Sequence, residues 1–210
     1  MSYPRLILAS GSPRRRELLA LLGLPFEIRL SGVSEDSRKG ACPVEVAREL
    51  AALKAGAVAG ELRDGLVVGA DTLVILGREI LGKPADAAEA VRMLRSLRGR
   101  THQVVTGVAV VDVPRGLRLS SAVASEVAMS DYSDQAIAEY VASGEPFDKA
   151  GSYAVQGLGG ALVSSVKGCY NNVVGFPLCE AARLLGNFGV KPATSDPVCL
   201  LPSGEPCGRF

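Results

Sequence analysis

Leu6-Ile7-Leu8-Ala9-Ser10-Gly11-Ser12-Pro13-Arg14-Arg15-Arg16-Glu17-Leu18-Leu19 begins as a short apolar run, stops abruptly and restarts with a different period. The run Leu6–Ala9 reads as a buried strand. Leu18, Leu19, Leu21 and Leu22 then recur at helical spacing, and Gly23 ends the pattern. Between the two, Ser12 suits the N-cap and Pro13 the first helical position, where its missing N–H costs nothing. A strand that turns directly into a helix is the opening unit of an α/β chain. Arg14, Arg15 and Arg16 therefore fall in the first helical turn, where the helix already carries partial positive charge. Two readings follow: a solvated basic turn, or a cradle of N–H groups, hydroxyls and guanidinium forks around an anion. The Gly-x-x-x-x-Gly-Lys spacing of a Walker A loop is absent.

Outward from this unit, strand-like runs occur at 66–70, 73–76, 103–111 and 122–129. Helical periodicity covers 13–22, 44–59, 85–97, 134–142 and 177–185. Strands and helices alternate early, whereas the two long central strands are neighbours joined by Pro114-Arg115-Gly116. That mixture predicts an α/β fold with a mixed rather than a purely parallel sheet. Gly77-Arg78 predicts a two-residue hairpin into Glu79–Leu81. From Lys191 onward, Pro192, Pro197, Pro202 and Pro206 interrupt a stretch without periodicity. The expected organisation is one domain over 1–190 and a loosely held tail over 191–210.

Composition narrows the partners. The chain has 210 residues, 48% of them hydrophobic, which supports a sizeable core in one domain or in two small lobes around a cleft. A net charge of +1 supplies no global field for nucleic acid or anionic membrane, so any phosphate chemistry is local. Trp is absent and aromatics are 5%, which argues against a base-stacking platform. No run is long enough for a membrane span or a signal-peptide core. Five scattered cysteines (Cys42, Cys169, Cys179, Cys199 and Cys207) lack Cys-x-x-Cys pairing, which points to a reduced, cytoplasmic setting and to apolar filler roles.

His102 is the only histidine, so a multi-histidine metal site is excluded, and its plain reading is a hydrogen-bonded residue at a turn. Any metal would be held by oxygen, which favours magnesium or manganese. Asp71 follows the apolar run Leu66-Val67-Val68-Gly69-Ala70 and would sit at a strand's carboxyl end, where α/β folds collect ligands; alternatively it forms an Asx turn. Glu35-Asp36 lies in a polar loop, either as a metal ligand or as solvated surface. Lys83, between Gly82 and Pro84, is aimed from a rigid turn or is a plain surface lysine. Lys149 could meet phosphate, and Gln156 could read a base edge, because an amide both donates and accepts.

Taken together, these segments resemble the Maf family of nucleoside triphosphate pyrophosphatases. The matching pieces are Ser10-Gly11-Ser12-Pro13-Arg14-Arg15, the acidic loop at Glu35, Ala51-Ala52-Leu53-Lys54-Ala55, Gly69-Ala70-Asp71-Thr72 and Gly82-Lys83-Pro84. Further on come Gly99-Arg100-Thr101-His102-Gln103-Val104-Val105-Thr106-Gly107-Val108, Gly144-Glu145-Pro146, Asp148-Lys149-Ala150-Gly151, Gln156-Gly157 and Val173-Val174-Gly175-Phe176-Pro177-Leu178. The resemblance runs in consistent order over about residues 5–188.

The resemblance implies hydrolysis of a nucleoside triphosphate to the monophosphate and pyrophosphate, assisted by a divalent cation. It also implies an elongated α/β fold with two lobes around a nucleotide cleft, similar to inosine triphosphate pyrophosphatases. On this reading Asp71, Glu35 and Lys83 are the expected catalytic residues, with Asp71 as general base, and Glu35 and Asp71 the expected metal ligands. The substrate is expected at Ser10, Ser12, Arg14, Arg15, Lys54, Thr72, Lys149 and Gln156. Asp148-Lys149-Ala150-Gly151 with Gln156-Gly157 is similar to the branch acting on dTTP and UTP, whereas the 7-methyl-GTP branch has Cys-Ala-Gly and Glu-Gly at these places. Two departures, Cys169-Tyr170-Asn171-Asn172 and Phe176, read as packing changes, although Asn171 could alter contacts at the cleft rim. The rival expectations are the same chemistry on modified or 7-methylguanosine nucleotides, and a nucleotide-binding cell-division regulator with little turnover. Besides the nucleotide, a second copy of the chain in a homodimer is the partner left open.

Overall fold

A computed structural model of the chain describes residues 4–33 and 42–193. Strand β1 (Leu6–Leu8) leads into helix α1 (Pro13–Ala20), followed by β2 (Glu27–Ile28), α2 (Pro43–Ala59), β3 (Leu66–Leu76) and β4 (Glu79–Leu81). Then come α3 (Ala87–Leu97), β5 (Thr101–Asp112), β6 (Leu117–Met129), α4 (Asp134–Ala142), β7 (Val163–Lys167), α5 (Tyr170–Val174) and α6 (Leu178–Gly186). Three short 3-10 turns, Glu145–Asp148, Ala150–Ser152 and Gly157–Leu162, lie between α4 and β7. The sheet runs β2-β1-β3-β5-β6-β7, with β4 also on β3. It is mixed, as expected: β1 is parallel to both its neighbours and the other pairings are antiparallel.

The alternation along β3 divides the molecule. Val67, Leu73 and Ile75 pack with α2, whose buried residues Ala47, Ala51 and Ala55 recur every fourth position and back the whole length of the strand. On the opposite face, Val68 and Ala70 join α1 and α6 in one core around Phe176, while Val74 and Leu76 join α3 and α4 in another around Leu94 and Ile137. Thr72 stands between these two cores. A polar residue at that point separates two lobes on one face, while α2 splints them together on the other.

The first unit forms as its sequence dictates. Ser12 has extended backbone and its Oγ accepts from Arg15 N, Pro13 opens α1, and Gly23 closes the segment with φ +68°, a conformation glycine adopts without strain. The helix proper ends at Ala20 rather than Leu22. The hairpin at Gly77-Arg78 pairs Leu76 with Glu79. Runs 66–70 and 73–76, read separately above, are one strand, so Asp71 lies mid-strand and not at a strand's end or in an Asx turn. His102 likewise sits within β5 rather than at a turn, buried, with Nε2 2.7 Å from the Tyr153 hydroxyl. Beyond α6, the chain remains attached through Ala193, whose N–H donates to Leu22 O. The rest of the expected tail, with Cys199 and Cys207, lies outside the described residues; Cys42 is exposed, Cys169 buried and Cys179 half-buried. Among the described residues no helix is long and apolar enough to cross a membrane.

Candidate active site

The site begins as a gap in the sheet. β1 covers β3 from Leu66 to Val68, and Ala9 N takes the Val68 carbonyl before the chain peels away into Ser10 and α1. β4 covers the same edge again from Val74 to Leu76, while β5 occupies the other edge throughout. Gly69–Leu73 is thus left with a strand on one side only, and Asp71 is its midpoint. The gap therefore lies beyond the carboxyl end of β1, one strand over from the strand end that the sequence suggested.

Asp71 points to the α2 face. There Lys54 Nζ donates to Asp71 Oδ1 at 2.6 Å, and both side chains are about 95% buried. Two glycines allow the approach: a Cβ on Gly69 would lie 2.4 Å from Ala51 O, and one on Gly107 2.0 Å from Ala47 O. A buried ion pair is a weak stabiliser, because desolvation of both charges offsets their attraction. Its position at a strand gap that opens on a cleft makes the pair a candidate for chemistry.

The other face of the strand carries a braced polar belt. Arg15 donates from Nε to Gly175 O at 2.9 Å, from one terminal nitrogen to Thr72 Oγ1 at 3.1 Å, and from the other to Ser10 Oγ at 3.4 Å. Thr106 Oγ1 donates to Asn172 O and lies 3.0 Å from Thr72 Oγ1, which in turn is within hydrogen-bond reach of Gly175 O at 3.4 Å. Asn172, fully buried, accepts from Thr106 N and donates to Val104 O and Ser125 Oγ. Asn172 therefore holds β5 and β6 through polar bonds rather than apolar packing, and Asn171 is buried as well. Cys169 packs on Val123 and Cys179.

Across the cleft, Gly82 O accepts from Gly151 N and ties the Lys83 turn to the segment after Lys149. Lys149 Nζ donates to Glu145 O at 2.8 Å and to the Asp148 carboxylate. Arg14, on α1, reaches Asp148 at 3.9 Å from the opposite wall. Burial alone would raise the Asp148 carboxyl, but Lys149 and Arg14 hold it below its ordinary range.

A cleft of about 790 Å³ opens between these walls. Ser10, Ser12, Arg14, Arg15, Lys54, Asp71, Thr72, Lys83, Lys149 and Gln156 all line it, which is ten of the eleven expected site residues. Glu35 lies outside the described residues. The described lining holds five cations and two carboxylates, Asp71 and Asp148. Tyr153 and Leu30 were not picked out from the sequence, and Asp148 was read only as part of the motif Asp148-Lys149-Ala150-Gly151, without a site role; the place of Tyr153 and Leu30 in the lining depends on tertiary folding. Among the described residues no cluster of three His, Cys, Asp or Glu side chains could cage a metal.

A two-lobed α/β fold with a cationic cleft and a buried acid on its floor defines a protein that handles polyanionic ligands. The chain belongs to the Maf family: the family described as "Maf-like protein" matches residues 5–188. It is 49% identical over 184 residues to a dTTP/UTP pyrophosphatase of Pelotomaculum thermopropionicum, covering 88% of this chain and 96% of the relative. A dTTP/UTP pyrophosphatase of Anaeromyxobacter dehalogenans is 51% identical over 188 residues, covering 89% and 95%. The Moorella thermoacetica protein of the same name is 50% identical over 186 residues, covering 89% and 96%. Among solved structures, the Staphylococcus aureus Ham1 protein aligns over 60% of this chain and 72% of its own, at 16% identity and a TM-score of 0.43.

Proposed function

We propose that this protein hydrolyses nucleoside triphosphates, dTTP and UTP favoured, to the monophosphate and pyrophosphate by attack of water on the α-phosphorus. The observation that carries the proposal is the buried Lys54–Asp71 pair at the gap in β3, facing a cleft otherwise rich in cations. The relatives named above, similar over nearly their whole length, carry the same activity in their names.

A triphosphate brings close to four negative charges. Arg14, Lys83 and Lys149 offset them from both walls and stabilise the pyrophosphate as it leaves. Ser10 and Ser12 supply hydroxyls beside the α1 N-terminus, where backbone N–H groups suit phosphate oxygen. Asp71 is the general base for water, and the hydrogen bond from Lys54 orients it. Arg15, committed to Ser10, Thr72 and Gly175, acts by holding the phosphate end of the cleft in shape. Gln156, whose amide has no partner among the described residues, reads the base.

The donor set suits magnesium or manganese arriving with the nucleotide, since such ions need only one or two protein carboxylates besides phosphate oxygen and water. Asp71, with Glu35 as the second carboxylate, would hold it. A bound divalent ion would supply charge neutralisation on the phosphates.

The test is pyrophosphate release from dTTP, UTP, CTP, GTP, 7-methyl-GTP and pseudouridine triphosphate, with and without magnesium or manganese. Metal-dependent release fastest with dTTP and UTP is expected. Faster release from 7-methyl-GTP or another base overturns the substrate assignment. Nucleotide binding without release from any of them overturns the enzymatic reading in favour of a nucleotide-binding regulator.

A further inference from the structure

Gln156 is carried by a segment with an unusual anchor. The turn Gly157–Leu162 opens at Gly157 with φ +66°, and its first N–H groups have no partners within the turn. Glu145 supplies them: Oε2 accepts from Leu158 N at 3.1 Å and Oε1 from Gly159 N at 3.2 Å. Tyr140, on α4, completes the arrangement. Its hydroxyl donates to Glu145 Oε1 at 3.1 Å and accepts from Ala154 N at 3.2 Å. One phenol and one carboxylate therefore grip the chain on both sides of Gln156, two residues before it and two and three residues after it.

The fit leaves little freedom. A Cβ on Gly159 would lie 2.5 Å from the Tyr140 hydroxyl, and one on Gly157 2.9 Å from Glu145 Oε2. Burial pushes the Glu145 carboxyl up, but the Gly159 and Leu158 N–H groups, the Tyr140 hydroxyl and Lys149 outweigh it and hold the group low. Burial and the neighbouring Glu145 charge push the Tyr140 phenol up, so it remains a donor.

We propose that Glu145, buttressed by Tyr140, is the positioning residue for base selection: it holds residues 154–159 so that the Gln156 amide meets a uracil or thymine edge in one placement. This deepens the dTTP/UTP reading and rests on it. Uracil presents an acceptor beside a donor, and cytosine presents the same pair exchanged. An amide on a loose segment can flip and swing to serve both. Discrimination requires that the backbone carrying it be fixed.

The test is a double-mutant cycle on kcat/KM for UTP and CTP, using wild type, Glu145→Ala, Gln156→Ala and the double variant. Glu145→Ala is expected to lower the UTP to CTP ratio about fivefold, the scale of one or two lost hydrogen bonds, with no further fall when it is added to Gln156→Ala. Tyr140→Phe, which keeps the ring and its packing, shifts the ratio the same way by less. An unchanged ratio in Glu145→Ala and Tyr140→Phe, or effects that add to that of Gln156→Ala, overturns the proposal. A wild type that prefers another base contradicts the dTTP/UTP assignment instead, and the cycle on that base then judges the clamp. If the wild type hydrolyses nothing, the proposed function fails. Amide exchange at Leu158 and Gly159 then decides the positioning claim: about tenfold faster exchange in Glu145→Ala supports it, and unchanged exchange overturns it.

Discussion

At the scale of single residues, the account turns on Asp71. Asp71→Asn keeps the shape and removes the negative charge and the basicity. Turnover is expected to fall at least ~100-fold while nucleotide still binds, as for a lost general base. Steady-state kinetics beside equilibrium nucleotide binding checks this, and wild-type turnover in the variant removes Asp71 from the mechanism. Most of the site was legible in the sequence because its residues fall in short local motifs: Ser-Gly-Ser-Pro-Arg-Arg, Gly-Ala-Asp-Thr, Gly-Lys-Pro. The clamp on Gln156 was not legible. Glu145 meets N–H groups 13 and 14 residues away, and its local motif Gly144-Glu145-Pro146 gives no sign of that contact.

At the scale of elements, the sheet gap and the close approach of α2 bring the acid and the lysine together. The gap was hidden in the sequence because Asp71-Thr72 reads as a break between two apolar runs. The residues are polar there for a tertiary reason: β1 has ended, β4 has not begun, and Arg15 and Lys54 stand where apolar neighbours would otherwise pack. β7, with exposed Ser164 and Ser165, and the five-residue α5 were missed because neither shows a sustained period. The α2 contact yields a direct test. Gly107→Ala forces a methyl into the Ala47 carbonyl and displaces the helix, so it is expected to cost at least about 2 kcal/mol in urea unfolding. It should also lower kcat, because α2 carries Lys54. Unchanged stability and turnover would show that the approach is not needed.

At the scale of the whole molecule, the two lobes are joined by α2 behind the sheet and by a few contacts across its front. Within the lobe around Leu94 and Ile137, the buried pair His102–Tyr153 ties the segment after Lys149 to β5. Burial pushes the His102 pKa down to about 4. Its unfolded value is near 6.5, so between these limits the unfolded chain binds the extra proton. The stability linked to neutral His102 is fully present above about pH 6.5 and is lost as pH falls toward 4, by on the order of 3 kcal/mol. Urea unfolding at several pH values should show this fall in the wild type and a shallower one in His102→Gln. Equal slopes would mean that His102 is not held neutral by the fold.

The central claim, that water attacks the α-phosphorus of a triphosphate in this cleft, is tested most directly by UTP hydrolysis in 18O-labelled water with magnesium present. The account predicts the label in the uridine monophosphate and none in the pyrophosphate. Label in the pyrophosphate, or in orthophosphate released beside a diphosphate, would contradict it.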